Sequence, residues 1–373
     1  MRLALIARRF DPSGGGTERD LLVTAQCLMH ARHEVSIYAS GVRASLPGFR
    51  VVEVPIPRLN LALGLLRFAW AAPALARREG ADLVLSFART VGADVLRSGG
   101  GAHVAYLRAA ARWRGRAAGL AMRLRPYHLA QMIVERAGFR SATLRRAIAV
   151  SELVRAQLIE EFGLDEQKAA TLYNGVDLER FVPLQNRAEQ TRLRQMFETD
   201  TGAPVVAFVG NGFARKGLRS LLLAWPKIES RPYLLVAGVD RTPLHYVRLA
   251  HRLGIQGRVR FLGGHSQVEQ LFRAADALAL PSFFEPFGNV VMEAMASGLG
   301  VLTSAQSGVA ELVPAAMRRF VVQDPGDPAE IAKRLQALLD SRHEMAAIAR
   351  ATAAAYPWHR YAGRLLELID SLA

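Results

Sequence analysis

The sequence predicts an α/β protein of two successive, doubly wound, Rossmann-like domains, and three observations predict it. A short apolar run at residues 3–7 leads into the turn Asp11-Pro-Ser-Gly-Gly-Gly16 and then a helical pattern over residues 17–31. Strand, glycine-rich turn and helix open a mononucleotide-binding unit. The same order restarts with a strand at 204–209, a loop at 210–217 and a helix at 218–228. At 373 residues the chain is too long for one comfortable core and suits two.

The remaining elements follow in order. In the first half, short buried-strand runs fall at 33–39, 51–54, 81–87, 147–150 and 169–172, with helical patterns at 61–78 and 152–162. A long basic, Ala-rich helical region runs from the glycines at 99–101 to about residue 146. The turn Tyr173-Asn-Gly-Val-Asp177 is followed by a polar stretch to about Gly202, with a candidate linker around Pro183. Strands at 233–237, 259–262, 277–280 and 301–303 then alternate with helices, and beyond Pro328 the chain is helical, broken at Pro357-Trp358. The expected division is a first domain at 1–175, a linker at 176–203, a second domain at 204–356 and a terminal helix at 357–373.

Composition narrows the partners. A net charge of +15 calls for something anionic: nucleic acid, a phospholipid surface or a phosphate-bearing substrate. Cys27 is the only cysteine, so there is no disulfide framework and no thiolate metal site, and it reads as a core thiol. The N-terminal apolar run is too short for a signal peptide and is interrupted by Arg8 and Arg9. No uncharged stretch reaches the ~18 residues needed to span a bilayer. A cytoplasmic protein, able to lie on a membrane, is expected.

The sharpest chemical signal is Pro281-Ser-Phe-Phe-Glu285-Pro-Phe-Gly288-Asn-Val-Val-Met-Glu293. A strand ends at Pro281, a loop presents Glu285, and a helix begins near Gly288. Glycine there lets a ligand approach the backbone, and first-turn N–H groups suit a phosphate, which makes Phe287, Gly288 and Asn289 candidates for binding a phosphate-bearing ligand. One carboxylate can reach sugar hydroxyls and the other a ribose diol. The competing reading is a solvated loop glutamate and an exposed helical one. For Glu293 that reading is weak, because its neighbours are apolar nearly all round and a charge there wants a partner. Arg215 and Lys216 stand at the start of a helix, where the dipole disfavours cations unless an anion comes between them, and a diphosphate is such an anion. A surface charge pair is the alternative. Asp-x-Asp is absent and no His/Glu cluster has ligand spacing, so no metal site is expected.

These segments resemble glycosyltransferase family 4, retaining enzymes of the GT-B fold, whose two Rossmann-like domains face across a cleft. The motif from Glu285 to Glu293 is similar to the family's pair of glutamates separated by seven residues. Ala149-Val-Ser-Glu152, Asn174-Gly-Val-Asp177, the loop from Gly210 to Gly217 and Ala274-Ala-Asp276 agree in order and spacing. The resemblance implies that Glu285 contacts the donor sugar, Glu293 the ribose, and Arg215 with Lys216 the donor diphosphate. Many members carry a further arginine several residues before that lysine. Gly210, Asn211 and Gly212 stand in that region here, and whether Arg215 takes its place is open. By the same resemblance Gly15 and Gly16, with Gly14, approach the donor phosphate or the acceptor. His103 becomes a donor-sugar contact that stabilises the transition state, and the terminal helix crosses back to the first domain. Arg19 faces either an acidic acceptor or solvent, and Asp94 either binds acceptor hydroxyls or caps a local turn.

Six arginines and no acid lie between residues 108 and 125, among them Arg108, Arg112, Arg114, Arg116, Arg123 and Arg125, interleaved with Trp113, Leu120 and Leu124. An anionic membrane surface fits this pattern, a solvated helix face is the plain alternative, and no nucleic-acid module is present. The order Gly92-Ala-Asp94, 99–101, His103 and Tyr106-Leu-Arg108 is similar to bacterial lipopolysaccharide core glycosyltransferases, among them the heptose-modifying glucosyltransferase. That implies a nucleotide-sugar donor, UDP-glucose or similar. It also implies a phosphate-bearing, lipid-linked glycan acceptor, a peripheral place on the cytoplasmic face of the inner membrane, and no cofactor. A sugar-nucleotide 2-epimerase and a basic nucleotide- or nucleic-acid-binding protein are the rival readings.

Overall fold

The computed structural model describes residues 1–11, 15–43, 48–56, 60–200 and 202–372. The chain divides into two compact units, residues 1–174 with 358–373, and residues 175–357.

In the first unit, strands β1 (Arg2–Ala7), β2 (Glu34–Ala39), β3 (Arg50–Glu53), β4 (Leu83–Ser86), β5 (Val95–Ser98), β6 (Arg146–Ala149) and β7 (Ala169–Thr171) form one sheet. Their order is β3-β2-β1-β4-β5-β6-β7, and every pairing is parallel. Leu3 to Ala7 are all buried, as parallel strands covered on both faces must be. The connecting helices are α1 (Gly16–His30), α2 (Leu61–Arg78), α3 (His103–Arg114), α4 (Arg116–Arg123), α5 (Pro126–Phe139) and α6 (Glu152–Phe162). The basic helical region expected after the glycines consists of three helices, α3, α4 and α5. Gly115 has φ of 88°, which ends α3, and Pro126 starts α5 at the position where its missing N–H costs nothing.

The second unit begins with α7 (Arg187–Met196). Strands β8 (Val205–Val209), β9 (Tyr233–Ala237), β10 (Val259–Gly263), β11 (Ala277–Leu280), β12 (Gly300–Ser304) and β13 (Val321–Val322) follow, in the parallel order β10-β9-β8-β11-β12-β13. Helices α8 (Leu218–Ala224), α9 (Pro243–Arg252), α10 (Val268–Ala274), α11 (Asn289–Ala296), α12 (Pro328–Asp340) and α13 (Arg342–Ala354) connect and cover them. The helix expected to reach residue 228 stops at Ala224 and continues as a 3-10 turn over Trp225–Lys227.

The expected linker at 176–203 is corrected: it is part of the second unit. Arg194 of α7 is buried, donating from Nη2 to Asp276 Oδ2 at 2.6 Å and from Nε to the Ala274 carbonyl at 3.0 Å. Phe181 is buried against Phe272, and Arg350 donates to the Phe181 carbonyl at 2.7 Å. A polar composition concealed these ties, because the buried residue that anchors α7 is an arginine.

Beyond the second unit the chain ends in α14 (Trp358–Asp370), which belongs to the first. Tyr361, Leu365 and Ile369, spaced by four, form one apolar stripe in the same core as Leu3, Leu5, Leu21 and Leu28.

Candidate functional site

In the second unit β8 and β11 are neighbours, but the chain leaves β8 toward β9 on one side and β11 toward β12 on the other. Their carboxyl ends form the topological switch point where open α/β sheets receive ligands. The two loops that carry the motifs start there and touch. Gly217 has φ of 79°, and a Cβ on it would stand 2.0 Å from the Pro281 carbonyl oxygen, so only glycine fits. The Phe283 N–H donates to the Arg215 carbonyl at 2.8 Å.

That contact sets a cluster of charges. Arg215 Nη1 donates to the Phe284 carbonyl at 2.8 Å and to Glu285 Oε2 at 3.1 Å, while Lys216 Nζ is ion-paired with the same carboxylate oxygen. The backbone of Glu285 is held from the other side. Its N–H donates to the Gln306 carbonyl at 3.1 Å and its carbonyl accepts from the Gly308 N–H at 2.9 Å. Burial pushes the Glu285 carboxyl up, but Lys216 and Arg215 overcome this and hold it below the usual carboxylate range. Burial lowers the Lys216 ammonium, and Glu285 and Glu293 oppose that fall. Gly288 caps α11, Phe287 is buried with its carbonyl accepting from Ser307 Oγ at 3.0 Å, and Asn289 and Glu293 lie half-buried on α11. The structure thus gathers Arg215, Lys216, Glu285, Gly288 and Glu293 into one site.

The first unit has its own switch point, between β1 and β4. Gly15 caps α1, Gly16 opens it, and Arg19 is half-buried on its first turn; Gly14 lies outside the described residues. Beside them β5 ends in three glycines and leads to His103, the first residue of α3. The His103 N–H donates to Glu135 Oε2 at 2.8 Å, and its Nε2 meets His128 Nδ1 at 2.9 Å. Burial first, then Arg89 and His128, pull the His103 imidazole from 6.5 to about 3. The ring is therefore neutral at physiological pH. An NMR titration is expected to show no protonation of His103 between pH 8 and 5, and a midpoint near 6.5 would contradict this placement.

The acceptor role expected of Asp94 is corrected. Asp94 precedes β5 and so lies at the amino edge of the sheet, away from the carboxyl ends that receive ligands. Its carboxylate is ion-paired with Arg77 and accepts from the Val84 N–H at 2.7 Å. It ties α2 and β4 to β5.

Sequence reasoning missed a buried network nearby. Arg97 on β5 donates to Asp20 Oδ2 on α1 at 2.8 Å and to Asn174 Oδ1 at 2.6 Å. Glu135, also buried, accepts from Arg89 Nε at 2.5 Å. The signal was available, since a charge inside a buried apolar run needs a partner, as it did for Glu293.

On the basic face, Arg112, Arg114, Arg116 and Arg125 are exposed and Arg123 is half-buried. Arg108 is exposed but ion-paired with Glu161. Leu120 and Leu124 stand out beside them, 62% and 70% exposed. Among the described residues no helix is long and apolar enough to cross a membrane.

Residues 14–180 match the Glycosyltransferase Family 4 model, and residues 189–355 match the model for Glycosyl transferases group 1. The chain is 28% identical over 317 residues to the lipopolysaccharide glucosyltransferase WaaG of Escherichia coli K12, covering 83% of this chain and 82% of that one. The crystal structure of WaaG superposes with a TM-score of 0.84 at 23% identity, covering 98% of this chain and 99% of that one. A structure of Anabaena Alr3699/HepE in complex with UDP and glucose gives a TM-score of 0.73 at 21% identity over 100% of both chains. With one model over its first half and the other over its second, the chain belongs to the family 4 and group 1 glycosyltransferases and has the GT-B fold.

Proposed function

We propose that this glycosyltransferase moves a hexose, with retention, from a nucleoside-diphosphate sugar to a phosphate-bearing, lipid-linked glycan of the lipopolysaccharide core. UDP-glucose is the donor we favour. The observation that carries the reading is the Arg215–Lys216–Glu285 cluster at the switch point of the second unit. Two cations there converge on one carboxylate oxygen and are placed to take a diphosphate in its stead. The glucosyl specificity in WaaG's name and the UDP complex of HepE support the donor class.

In this reading Arg215, Lys216 and the backbone from Phe287 to Asn289 hold the diphosphate, Glu293 the ribose and Glu285 the sugar. His103 contacts the donor sugar as a neutral imidazole, and Gly15, Gly16 and Arg19 face donor or acceptor. The bond from the anomeric carbon to the diphosphate oxygen breaks as the acceptor hydroxyl attacks from the same face, and its proton passes to the departing phosphate. The side-chain cations take up the developing charge, so no metal ion is invoked. Arg112, Arg114, Arg116 and Arg125, with Leu120 and Leu124, rest on an anionic membrane where the acceptor is anchored.

The test is incubation with UDP-glucose, UDP-galactose and GDP-mannose, each with a purified phosphorylated core acceptor in anionic vesicles. Transfer from UDP-glucose with the α-anomeric configuration kept is expected. Release of nucleotide from no donor, or epimerisation of the sugar without acceptor, would refute the reading.

A further inference from the structure

The second unit contains a cavity of about 650 Å³ at the amino edge of its sheet, opposite the edge that carries Arg215, Lys216 and Glu285. Two loops make it. One runs from the 3-10 turn at Trp225–Lys227 to Pro232, just before β9, and the other from Leu253, just after α9, to Arg258, just before β10. The loops lie side by side because β9 and β10 pair in parallel. Trp225, Ile228, Pro232 and Ile255 are buried beneath them, and Trp225 Nε1 fixes this base by donating to the Pro232 carbonyl at 3.1 Å. Pro226 is exposed and Leu253 half-buried, so both offer apolar surface to the cavity.

Its rim is basic. Lys227, Arg231 and Arg258 line it with Glu229 as the one acid of the lining, so three positive charges against one negative leave a local excess of two. Lys227, Glu229 and Arg231 are exposed and Arg258 is half-buried, so a ligand can reach all four, and none is in an ion pair among the described residues. The Arg258 guanidinium lies over the Tyr233 ring, 4.6 Å from its centroid, which steadies it. Arg260 lies 5.7 Å from the same ring but pairs with Glu198 at 3.5 Å, a carboxylate partner that Arg258 lacks.

The backbone singles out Arg231 as well. Its φ is 45°, a left-handed conformation that disfavours any residue with a Cβ. The other non-glycine residues with positive φ among those described, Arg32 and Glu198, stand just past the ends of α1 and α7, where helices ordinarily terminate this way. Arg231 instead closes the turn before β9, its N–H donating to the Ile228 carbonyl at 3.2 Å. Glycine would hold that turn at less cost, so the backbone gives no reason for an arginine there and the guanidinium does.

We propose that this cavity binds a phosphate monoester with an apolar body, Lys227, Arg231 and Arg258 taking the phosphate and Pro226 with Leu253 the body. A phosphate monoester carries a charge of about −1.5 to −2 at neutral pH and three acceptor oxygens, which match the excess of two and the three cations. The volume lies within the range of small-molecule sites and leaves room that a bare phosphate does not fill. A free nucleotide and a phosphatidic acid headgroup share this chemistry. The proposal does not rest on the transferase reading, whose residues stand at the other edge of the sheet.

Isothermal titration of the full chain with phenyl phosphate, adenosine monophosphate, soluble dihexanoyl phosphatidic acid and inorganic phosphate tests it. At least one of the three monoesters is expected to bind about tenfold or more tightly than inorganic phosphate, and the tighter of the last two monoesters tells nucleotide from lipid headgroup. Lys227→Gln and Arg258→Gln should each weaken that binding about tenfold. Arg231→Gly should weaken it as much, yet melt no lower than the wild type, because glycine relieves the backbone. That split separates a ligand contact from a structural residue, and the exposed positions 227 and 231 keep the test sound if Arg258→Gln fails to fold. Binding of no monoester overturns the proposal. So does inorganic phosphate binding as tightly as the monoesters, since the apolar wall then plays no part. Monoester binding that Arg231→Gly and Lys227→Gln leave unaltered lies elsewhere on the chain and overturns it too.

Discussion

Replacing Glu285 by glutamine is expected to lower the rate of transfer about 100- to 1,000-fold while tightening the binding of free UDP. The split follows from the charges. Lys216 and Arg215 converge on one carboxylate oxygen, and the carboxyl is held below its ordinary range by them. In the free protein that carboxylate competes with any incoming diphosphate for the same two cations. Glutamine keeps the shape and leaves an acceptor for Arg215 Nη1, but it removes the competitor, so the diphosphate gains both cations. Transfer falls because the charge facing the donor sugar is gone. The fold loses stability as well, since a buried lysine loses its ion-paired carboxylate and keeps only the weaker influence of Glu293, with an upper bound of about 3–5 kcal/mol. A carboxyl with a depressed folded pKa stabilises above its unfolded pKa and loses that contribution as pH falls through the folded value. The Glu285-dependent part of stability should thus be present at neutral pH and vanish in acid, and Glu285→Gln should flatten that limb. Steady-state transfer, UDP titration and thermal melts between pH 3 and 7 check the three parts. Retained transfer, or weaker UDP binding by a folded variant, would remove Glu285 from the role proposed for it.

Much of this site was legible because local sequence sets local backbone. The apolar run before Arg8, the glycines at 15 and 16 and the restart at 204 each specify strand, turn and helix within about fifteen residues. The placing of Glu285 before a helix start at Gly288 is likewise a local fact. The partnership of Glu285 with Lys216 is not, because they are 69 residues apart and meet only through the adjacency of β8 and β11. Asp94 was misread for a related reason. It stands near the site in sequence, but β5 lies between it and the glycines at 99–101 and carries them to opposite edges of the sheet. The stretch at 176–203 was misread because composition counts charges without showing which are buried, and Arg194 is buried. Polarity marks a linker only where the polar groups meet water.

Asp20→Asn is expected to destabilise the first unit by about 3–5 kcal/mol, among the largest losses a single substitution here can cause. Asp20 and Arg97 are both almost wholly buried, with side chains 5% and 1% exposed. Asp20 Oδ2 also accepts from Asn174 Nδ2 at 3.2 Å, and Thr24, one turn along α1, meets the Tyr361 hydroxyl of α14 at 2.8 Å. The network therefore joins α1 and β5 to the last residue before the chain leaves the first unit and to the helix formed when it returns. Asparagine preserves the shape and strands the Arg97 charge in the interior, where desolvation is no longer offset. At about 2–4 °C per kcal/mol for a unit of this size, its melting temperature should fall by roughly 10 °C. Replacing both partners, as Asp20→Leu with Arg97→Met, removes the stranded charge and should recover at least half of the loss, although Asn174 gives up two partners. Calorimetry on the wild type, the two single variants and the double variant closes the cycle. A double variant no better than Asp20→Asn would show that hydrogen bonding to Asn174, and not the buried charge pair, holds these segments together.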